Sequence, residues 1–369
     1  MMIKDEIHGT VEFNELEGMI IDTPEFQRLR RIKQMSITYL VYPGANHTRF
    51  EHSLGTAYLS WVIANRLGFE EDEARKVKLA GLLHDIGHTA FSHEGEDVLK
   101  KYIGDHERIG KRKIVEGNIA DIISENYKVD EILNKYGNII ESDLGSDRMD
   151  YLKRDALNTG VAYGIIDIDR IVHTLCIEED ELCIGKGGLE AAEYLLVARF
   201  MMFSTVYMHK TVRIATTMLY RAIEGAISDN TLKAKDFIEL DDAGALVAMS
   251  KSEKGGKYAN AILQRKLYKE VCSFLKEGFE DPKRIETEIS KKLGCDIIVD
   301  YPQQFFKPIE LKVKTNDGLK PITKLSKLVQ SLKKAEEERM RVLVLADEKI
   351  RNEYGDKIRK LVSNEMGSN

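Results

Sequence analysis

The stretch that constrains this chain most is LLHDIGHTAFSH, residues 82 to 93, which sets His84 beside Asp85, places His88 four residues after His84 and closes on His93. Adjacent side chains on a helix project about 100° apart, so a neighbouring imidazole and carboxylate cannot share one face. They act together only where a compact object such as a metal ion draws them to one point. Such a site needs further ligands from other elements. HTRFEH (47 to 52) offers His52 upstream, and SDRMDYLKRD (146 to 155) offers Asp147 downstream. A mixed set of imidazoles and carboxylates from separate elements leaves room for water at the ion.

With 369 residues, 43% hydrophobic and 31% charged, the chain is long enough and apolar enough to bury a sizeable core, which excludes a disordered protein. A formal charge of −6 argues against a general nucleic-acid coat, although a local cluster of Arg and Lys still allows phosphate ligands. Cys176, Cys183, Cys272 and Cys295 lack zinc-like spacing, which points to a reduced intracellular compartment. No stretch has the pattern of a signal peptide or approaches the roughly 20 apolar residues of a membrane span. The expectation is a cytoplasmic protein that makes no use of a membrane.

Read in order, IKDEIHGTVEF (3 to 13) is an extended opening element with a turn at His8-Gly9. Asp22-Thr23-Pro24 is a helix start, and EFQRLRRIKQM continues it as a basic helix. After the Pro43-Gly44 turn, Leu54, Tyr58, Trp61 and Asn65 stand at helical spacing, which puts His52 near a helix start with Arg49 beside it. The forked guanidinium of Arg49 suits phosphate oxygens. EDEARKVKLAGLLHDIG is a second helix, ending at Gly87 and bringing His84 and Asp85 to its C-terminal end. His88, His93 and His106 follow closely, and the chain holds nine histidines in all. Imidazoles so placed can bind metal, neutralise phosphate or donate a proton. On the helix around residue 150, Asp147, Tyr151 and Asp155 share one face while Met149, Leu152 and Ala156 form the apolar side. Asp147 can complete the metal site, Tyr151 can stack on or bond to a sugar, and Asp155 can accept from its hydroxyl. The bland reading of the same helix is a salt-linked surface using Lys153 and Arg154.

Further along, TLCIEEDELCIG (174 to 185) reads as a hairpin, and GKGG (185 to 188) as a turn that lacks the spacing of a phosphate loop. In ARFMMFSTVYMHKTVRI, about 100° per residue puts Arg199, Lys210 and Arg213 within an arc of roughly 60°, one cationic stripe on a continuous helix. Beyond about residue 230 the chain becomes rich in Lys and Glu, and KSEKGGK (251 to 257) reads as a flexible loop or boundary. CDIIVDYP, IELKVKT and RVLVLAD look like strands separated by helical stretches such as TKLSKLVQSLKKAEEE. The expected fold class is mainly α: a helical core over 1–230 and a smaller α+β C-terminal lobe over 231–369.

The series His52, His84-Asp85, Asp147 resembles the HD-domain phosphohydrolases. FQRLRRIKQ (26 to 34), VYPGANHTRFEHSLG (41 to 55) and DYLKRD (150 to 155) look like the branch containing the dNTP triphosphohydrolases. Within it the chain is most similar to the mammalian enzymes that join a SAM domain to an HD domain, without the SAM domain. The resemblance is dense over residues 3 to 215 and thin thereafter, with ILQRKLYKEV (262 to 271) a later patch.

The resemblance implies an HD-domain helical core and one or two divalent metal ions, with His52, His84, Asp85 and Asp147 as ligands. Such ligands suit Mn, Fe, Mg, Co, Ni or Zn. It implies catalytic roles for Asp85, His88, His93, His106 and Glu96, with His93 the proton donor and Glu96 standing where relatives have an Asp that supports a histidine. It places substrate on Gln34, Arg49, Tyr151, Asp155, Arg199, Tyr207 and Lys210, with His209 alongside; Gln34 matches a sugar contact, and Arg199 and Lys210 match triphosphate contacts. Phe203, Ser204 and Thr205 replace the histidine and arginines that normally precede the tyrosine at 207. Asp22, Gln27 and Arg30 match a guanine-nucleotide effector pocket for GTP or dGTP, although Lys4 stands where the family has Asn. Relatives build that pocket between subunits, so a dimer or tetramer is expected. The expected reaction is hydrolysis of a dNTP to deoxynucleoside and triphosphate. The alternatives are an enzyme of the same metal chemistry acting on a monophosphate, cyclic nucleotide or guanosine polyphosphate, or a nucleotide-responsive or nucleic-acid-binding protein.

Overall fold

Two apolar helical stretches in the first quarter of the chain set the centre around which the rest packs. The computed structural model describes residues 1–276, 279, 281–302 and 309–366. Strands β1 (Met2–Asp5) and β2 (Gly9–Glu12) pair antiparallel, with Gly9 at φ +78° in the turn. Helix α1 (Glu15–Ile21) starts at a reciprocal Asn14/Glu17 cap, and α2 (Pro24–Gln27) starts at Thr23 with proline in its first turn.

The basic helix expected over 24–35 ends early. After Gln27 the chain tightens into a 3₁₀ turn at Arg28–Arg31 and becomes extended at Ile32. The cause is Arg28, only 4% exposed, which turns inward and donates to the carbonyls of His88, Glu239 and Leu240. Arg30 instead lies over the Phe50 ring at 3.5 Å, and Arg31 pairs with Asp241. The charge run therefore divides among three environments.

Helices α3 (Arg49–Arg66) and α4 (Glu71–Leu83) pack closely, since a Cβ on Gly81 would lie 2.3 Å from Ser60 Oγ. Around them lie α5 (Ser92–Ile103), α6 (His106–Glu116), α7 (Asn118–Ser124), α8 (Val129–Asn134), α9 (Gly137–Ile140) and α10 (Ser146–Thr159). Their inward residues, among them Leu54, Ile63, Val77, Leu82, Met149 and Leu152, form one buried core. Then α11 (Ile168–Thr174) leads into the expected hairpin, β3 (Leu175–Glu178) and β4 (Glu181–Gly185).

Helix α12 (Leu189–Met202) and helix α13 (Lys210–Ser228) are two elements, not one. A π-turn at Phe203–Tyr207 and an extended ψ of 128° at His209 separate them. The interruption re-phases the side chains, so the single cationic stripe does not form. Arg199 pairs with Asp143, Lys210 with Glu270 and Arg213 with Asp300.

KSEKGGK is a packed turn between α14 (Asp242–Met249) and α15 (Gly256–Leu263). Asp229 accepts from the Ser252 hydroxyl and the Lys254 N–H, and a Cβ on Gly225 would lie 2.4 Å from the Gly255 nitrogen. The remaining elements are β5 (Lys269–Leu275), α16 (Pro282–Leu293), β6 (Ile297–Asp300), β7 (Lys312–Thr315), β8 (Gly318–Pro321), α17 (Ile322–Leu325), α18 (Lys327–Glu337), β9 (Arg341–Ala346) and α19 (Glu348–Met366). Strand β9 runs between β5 and β6, antiparallel to both. Leu343 and Leu345 on one face join the core of α13 and α15, whereas Val342 and Val344 face α16 and α19. Strand β7 returns to pair parallel with β4, and Leu311, Val313 and Ile322 enter the first core. The mainly helical core and smaller α+β lobe are thus present, with one strand pair reaching back from the lobe's sequence into the core.

A candidate metal centre

Asp147 lies in the first turn of α10, His52 in the first turns of α3, and His84 caps α4 with Asp85 just beyond. These positions bring all four side chains to one point. His52 Nε2 lies 3.0 Å from Asp147 Oδ1 and 3.5 Å from Asp85 Oδ2; His84 Nε2 lies 3.4 Å from Asp85 Oδ1 and 3.8 Å from Asp147 Oδ1. His52, His84 and Asp147 meet the spacing of a metal-binding group.

The protonation pattern fits a metal as well. His52 Nδ1 donates to Asp150 Oδ2 at 2.8 Å, and His84 Nδ1 donates to the Gly81 carbonyl at 2.8 Å. Each ring therefore turns the lone pair of Nε2 inward, and both Nε2 atoms are buried without a hydrogen-bond partner. Two nitrogen lone pairs facing two carboxylates repel unless a cation lies between them. The same field acts on a proton: burial disfavours the charge on His52, but the adjacent carboxylates of Asp147 and Asp150 outweigh it and raise its pKa to about 10. Burial likewise opposes ionisation of Asp85, yet Arg49, His84 and His88 hold its carboxyl well below the ordinary value.

Asp150 organises the layer behind. It accepts from His52, from His8 at 2.7 Å and from Arg154 through both oxygens at 2.9 Å, while Arg154 also pairs with Asp5. The packing permits no side chain between them: a Cβ on Gly55 would lie 2.0 Å from Asp150 Oδ1.

A second imidazole cluster adjoins the first. His88 is fully buried, its Nε2 3.2 Å from Asp85 Oδ1 and its ring stacked on His106 at 4.1 Å with His93 edge-on at 4.7 Å. Glu96 stands between the other two, with Oε2 3.3 Å from His93 Nδ1 and 2.8 Å from His106 Nδ1. Burial opposes the charge on Glu96, but those two histidines hold its carboxyl far below the ordinary value. Burial, then Arg49 and His106, push His88 well below the usual imidazole value, so its ring is neutral near pH 7. The histidine and glutamate atoms of this cluster could also hold an ion. Arg49, 3% exposed, links the two groups: Nη1 donates to Asp85 Oδ2 at 2.5 Å and Nε donates to Ser92 Oγ at 3.0 Å.

Of the expected substrate residues, Asp155 accepts from the Tyr207 hydroxyl at 2.6 Å and lies 2.7 Å from His47 Nε2. Gln34 donates its backbone N–H to the His47 carbonyl, and its side-chain Oε1 is buried without a partner. Tyr151, on the same face of α10, feels the charges of Arg148, Arg199, Asp147 and Asp155. Lys210 is not drawn into this group. Its side chain is 60% exposed, pairs with Glu270 at 3.2 Å, and lines a shallow cleft with Arg265, Lys269 and Arg351, because the break at His209 turns α13 away. His209 caps α13 and its ring lies against Tyr42. At the expected effector position Asp22 is exposed, Gln27 donates to the Ile21 carbonyl and Arg30 donates to Gln27. Lys4 is exposed on β1.

Several contributors were not singled out from the sequence: His8, His47, Asp143, Arg148, Asp150 and Asp242. Arg148, Asp150 and Arg154 were visible inside DRMDYLKRD, where the i, i+4 spacing of Asp150 and Arg154 signals an ion pair. His8 and Asp242 carry no local signal. Asp242 accepts from the N–H groups of Phe91 and Lys33, clamping the loop in which Phe91 and Ser92 adopt φ of +68° and +53°.

Residues 49–158 match the HD domain family, and residues 166–366 match its HD associated region. A Methanocaldococcus jannaschii protein of uncharacterized function is 38% identical over 98% of this chain and 83% of its own length. The human deoxynucleoside triphosphate triphosphohydrolase SAMHD1 is 28% identical over 86% of this chain, which spans 57% of that protein. Among solved structures, a hypothetical protein from Aquifex aeolicus superposes with a TM-score of 0.77 at 31% identity, covering 98% of this chain and 99% of that one. A phosphohydrolase from Bacteroides thetaiotaomicron superposes with a TM-score of 0.73 at 27% identity, covering 94% and 99%.

Proposed function

The chain belongs to the HD-domain phosphohydrolases and is a metal-dependent phosphohydrolase, and from that premise we propose that it hydrolyses deoxynucleoside triphosphates to deoxynucleoside and triphosphate. The observation that carries the substrate choice is the junction of Asp155, Tyr207 and His47 on the face of α10 that also holds Asp147. A polar cluster on the helix face that also carries a candidate metal ligand favours a nucleoside ester over a bare phosphate. Two proteins named as deoxynucleoside triphosphate triphosphohydrolases are among its relatives, at 28% and 31% identity.

A divalent metal on His52, His84, Asp85 and Asp147 would supply Lewis acidity toward water and a phosphate oxygen. The chain's own groups do the rest. Arg49 presents its fork to the phosphates from a fixed, buried position. His88, neutral and wedged between Asp85 and His106, contacts phosphate as a hydrogen-bond donor. His93, with a 63% exposed side chain beside Glu96, delivers a proton to the departing ribose oxygen as the P–O bond breaks and the water oxygen joins phosphorus. The depressed proton affinity of Asp85 suits it to ligation rather than proton storage. Gln34 and Tyr151 border the sugar, and Arg199 neutralises the phosphate chain. Asp22, Gln27 and Arg30 form the guanine-nucleotide effector contact of a homo-oligomer.

The test is chromatography of products after incubating Mn-supplemented protein with each dNTP, with and without GTP or dGTP, beside an Asp147→Ala control. Deoxynucleoside plus triphosphate, absent in the control, is the expected result. Survival of every dNTP while a monophosphate or cyclic ester is cleaved would retain the metal chemistry and remove the substrate assignment.

A further inference from the structure

Helix α5, which carries His93 in its first turn, starts without a side-chain cap: its N-cap residue is Phe91 at φ +68°, followed by Ser92 at +53°. Two successive left-handed residues with side chains persist only where the surroundings fix them. Here the fixing group is Asp242, the first residue of α14 and 8% exposed. Its Oδ1 accepts from the Phe91 N–H at 2.7 Å, and its Oδ2 accepts from the Lys33 N–H at 2.9 Å. The Lys33 carbonyl in turn accepts from the Ser92 hydroxyl at 2.7 Å. Both main-chain groups of Lys33 are thus taken up in fixing the left-handed pair, and the next residue is Gln34.

The stretch leading to Asp242 grips the same loop at other points. The Ala90 N–H donates to the Phe237 carbonyl at 3.3 Å, and Arg28 bridges the carbonyls of His88 at 2.7 Å and Leu240 at 2.6 Å. The Phe91 ring packs with Phe237 and Leu246 in the second buried core. A Cβ on Gly95 would lie 2.1 Å from the Ala90 carbonyl oxygen, so the loop and the first turn of α5 move as one body. A carboxylate is suited to the central position because each of its oxygens takes one N–H, whereas the amide of asparagine has a single accepting oxygen.

We infer that Asp242 is a positioning residue of the site, holding the loop that carries His93 against the segment that carries Gln34. This rests on the reading of His93 as the proton donor to the ribose oxygen and of Gln34 as a neighbour of the sugar. It gives the HD associated region, residues 166–366, a part in the chemistry of the HD domain at 49–158. Asp242 acts through Phe91 and Lys33. Its loss lets the left-handed pair relax and swings the imidazole away from Glu96.

The experiment compares wild type, Asp242→Asn, Asp242→Ala and His93→Ala in the metal-loaded full chain, with Asp241→Ala as a control that removes the cap of α14 and leaves the clasp. Two substrates are used, a dNTP and its analogue with sulfur at the 5′ bridging position, because a thiol leaves as thiolate without needing a proton. For Asp242→Ala the expected result is a kcat on the dNTP lowered about ten- to hundredfold, with KM, metal content and kcat on the sulfur analogue each changed less than about threefold. Asp242→Asn, close in shape and keeping one acceptor, should fold where alanine does not and lose about three- to tenfold. Wild-type kcat in both Asp242 variants would overturn the inference, as would a matching loss in Asp241→Ala, or equal losses on the two substrates while His93→Ala spares the sulfur analogue. Nitrogen NMR of the His93 ring reads its position without turnover: a signal moved toward that of a free imidazole is expected in Asp242→Asn, and an unchanged signal overturns the inference. If the ring moves but His93→Ala slows both substrates equally, the positioning role stands and the proton-donor reading has failed. If wild type leaves every dNTP intact, the substrate reading has failed and the ring signal decides the positioning role.

Discussion

His8 Nε2 lies 2.7 Å from Asp150 Oδ1, so the amino-terminal hairpin is bonded to the carboxylate that orients His52, a candidate metal ligand. Outer partners of ligating histidines typically change metal affinity by about 10- to 100-fold when removed. Asp150→Asn is expected to fall in that range. His8→Ala, which leaves His52 and Arg154 on Asp150, is expected to weaken metal binding about threefold to tenfold. Metal titration followed by elemental analysis measures both, and wild-type affinity in Asp150→Asn would contradict the orienting role.

Gly55→Ala should stabilise an ordinary helix by about 1 kcal/mol. Here the added Cβ would meet Asp150 Oδ1 at 2.0 Å, inside the packed contact of α3 with α10. The expected result is a loss of about 1–3 kcal/mol, the usual cost of overpacking, together with weakened metal binding. Urea unfolding gives the sign directly; a stabilised variant would show that the two helices separate easily.

Burial raises the Asp242 pKa from 3.8 to about 6, even though the N–H groups of Phe91 and Lys33 pull it back. A carboxyl raised in the fold favours the protonated form there. Its contribution is complete below pH 3.8 and is lost as the pH rises through about 6. The size is about 3 kcal/mol. The stability of wild type minus that of Asp242→Asn should therefore fall by this amount between pH 4 and 7, and a difference that is flat with pH would contradict the assignment.

Removing the metal leaves His52 between Asp147 and Asp150, where its pKa of about 10 keeps the ring protonated at neutral pH. The proton then takes the place of the ion, and the helical fold should persist after chelation with a lowered Tm. Nitrogen NMR of the imidazole ring should show an imidazolium at pH 8 in the metal-free protein. A neutral ring there would mean that the two carboxylates move apart when the metal leaves.

Tyr207→Phe removes the 2.6 Å bond to Asp155 without altering the ring. A KM for dNTP raised about three- to tenfold is expected, with a stability loss of about 1 kcal/mol. Steady-state kinetics on one dNTP decides it; an unchanged KM would take Tyr207 out of the sugar contact.

Much of the architecture was legible because local signals agree with the global fold. Thr23-Pro24 starts a helix, Glu179-Asp180 turns a hairpin, and Met149, Leu152 and Ala156 face the core as their spacing predicts. Where the reading failed, a distant partner had outweighed local propensity. Arg28 left a helix to satisfy carbonyls some 60 and 210 residues away, and the π-turn before His209 sent Lys210 to Glu270 instead of into line with Arg199.

The amino-acid sequence alone determined which atoms could ligate: His52, His84, Asp85 and Asp147 stand at helix ends, and helix ends follow from caps and periodicity. Tertiary structure alone decided which atoms orient them. His8 on Asp150, Asp242 on Phe91 and Asp143 on Glu310 are hydrogen bonds between segments 142, 151 and 167 residues apart. Their formation depends on where packed elements bring buried polar groups together, and a buried donor or acceptor takes whichever partner the fold places within reach.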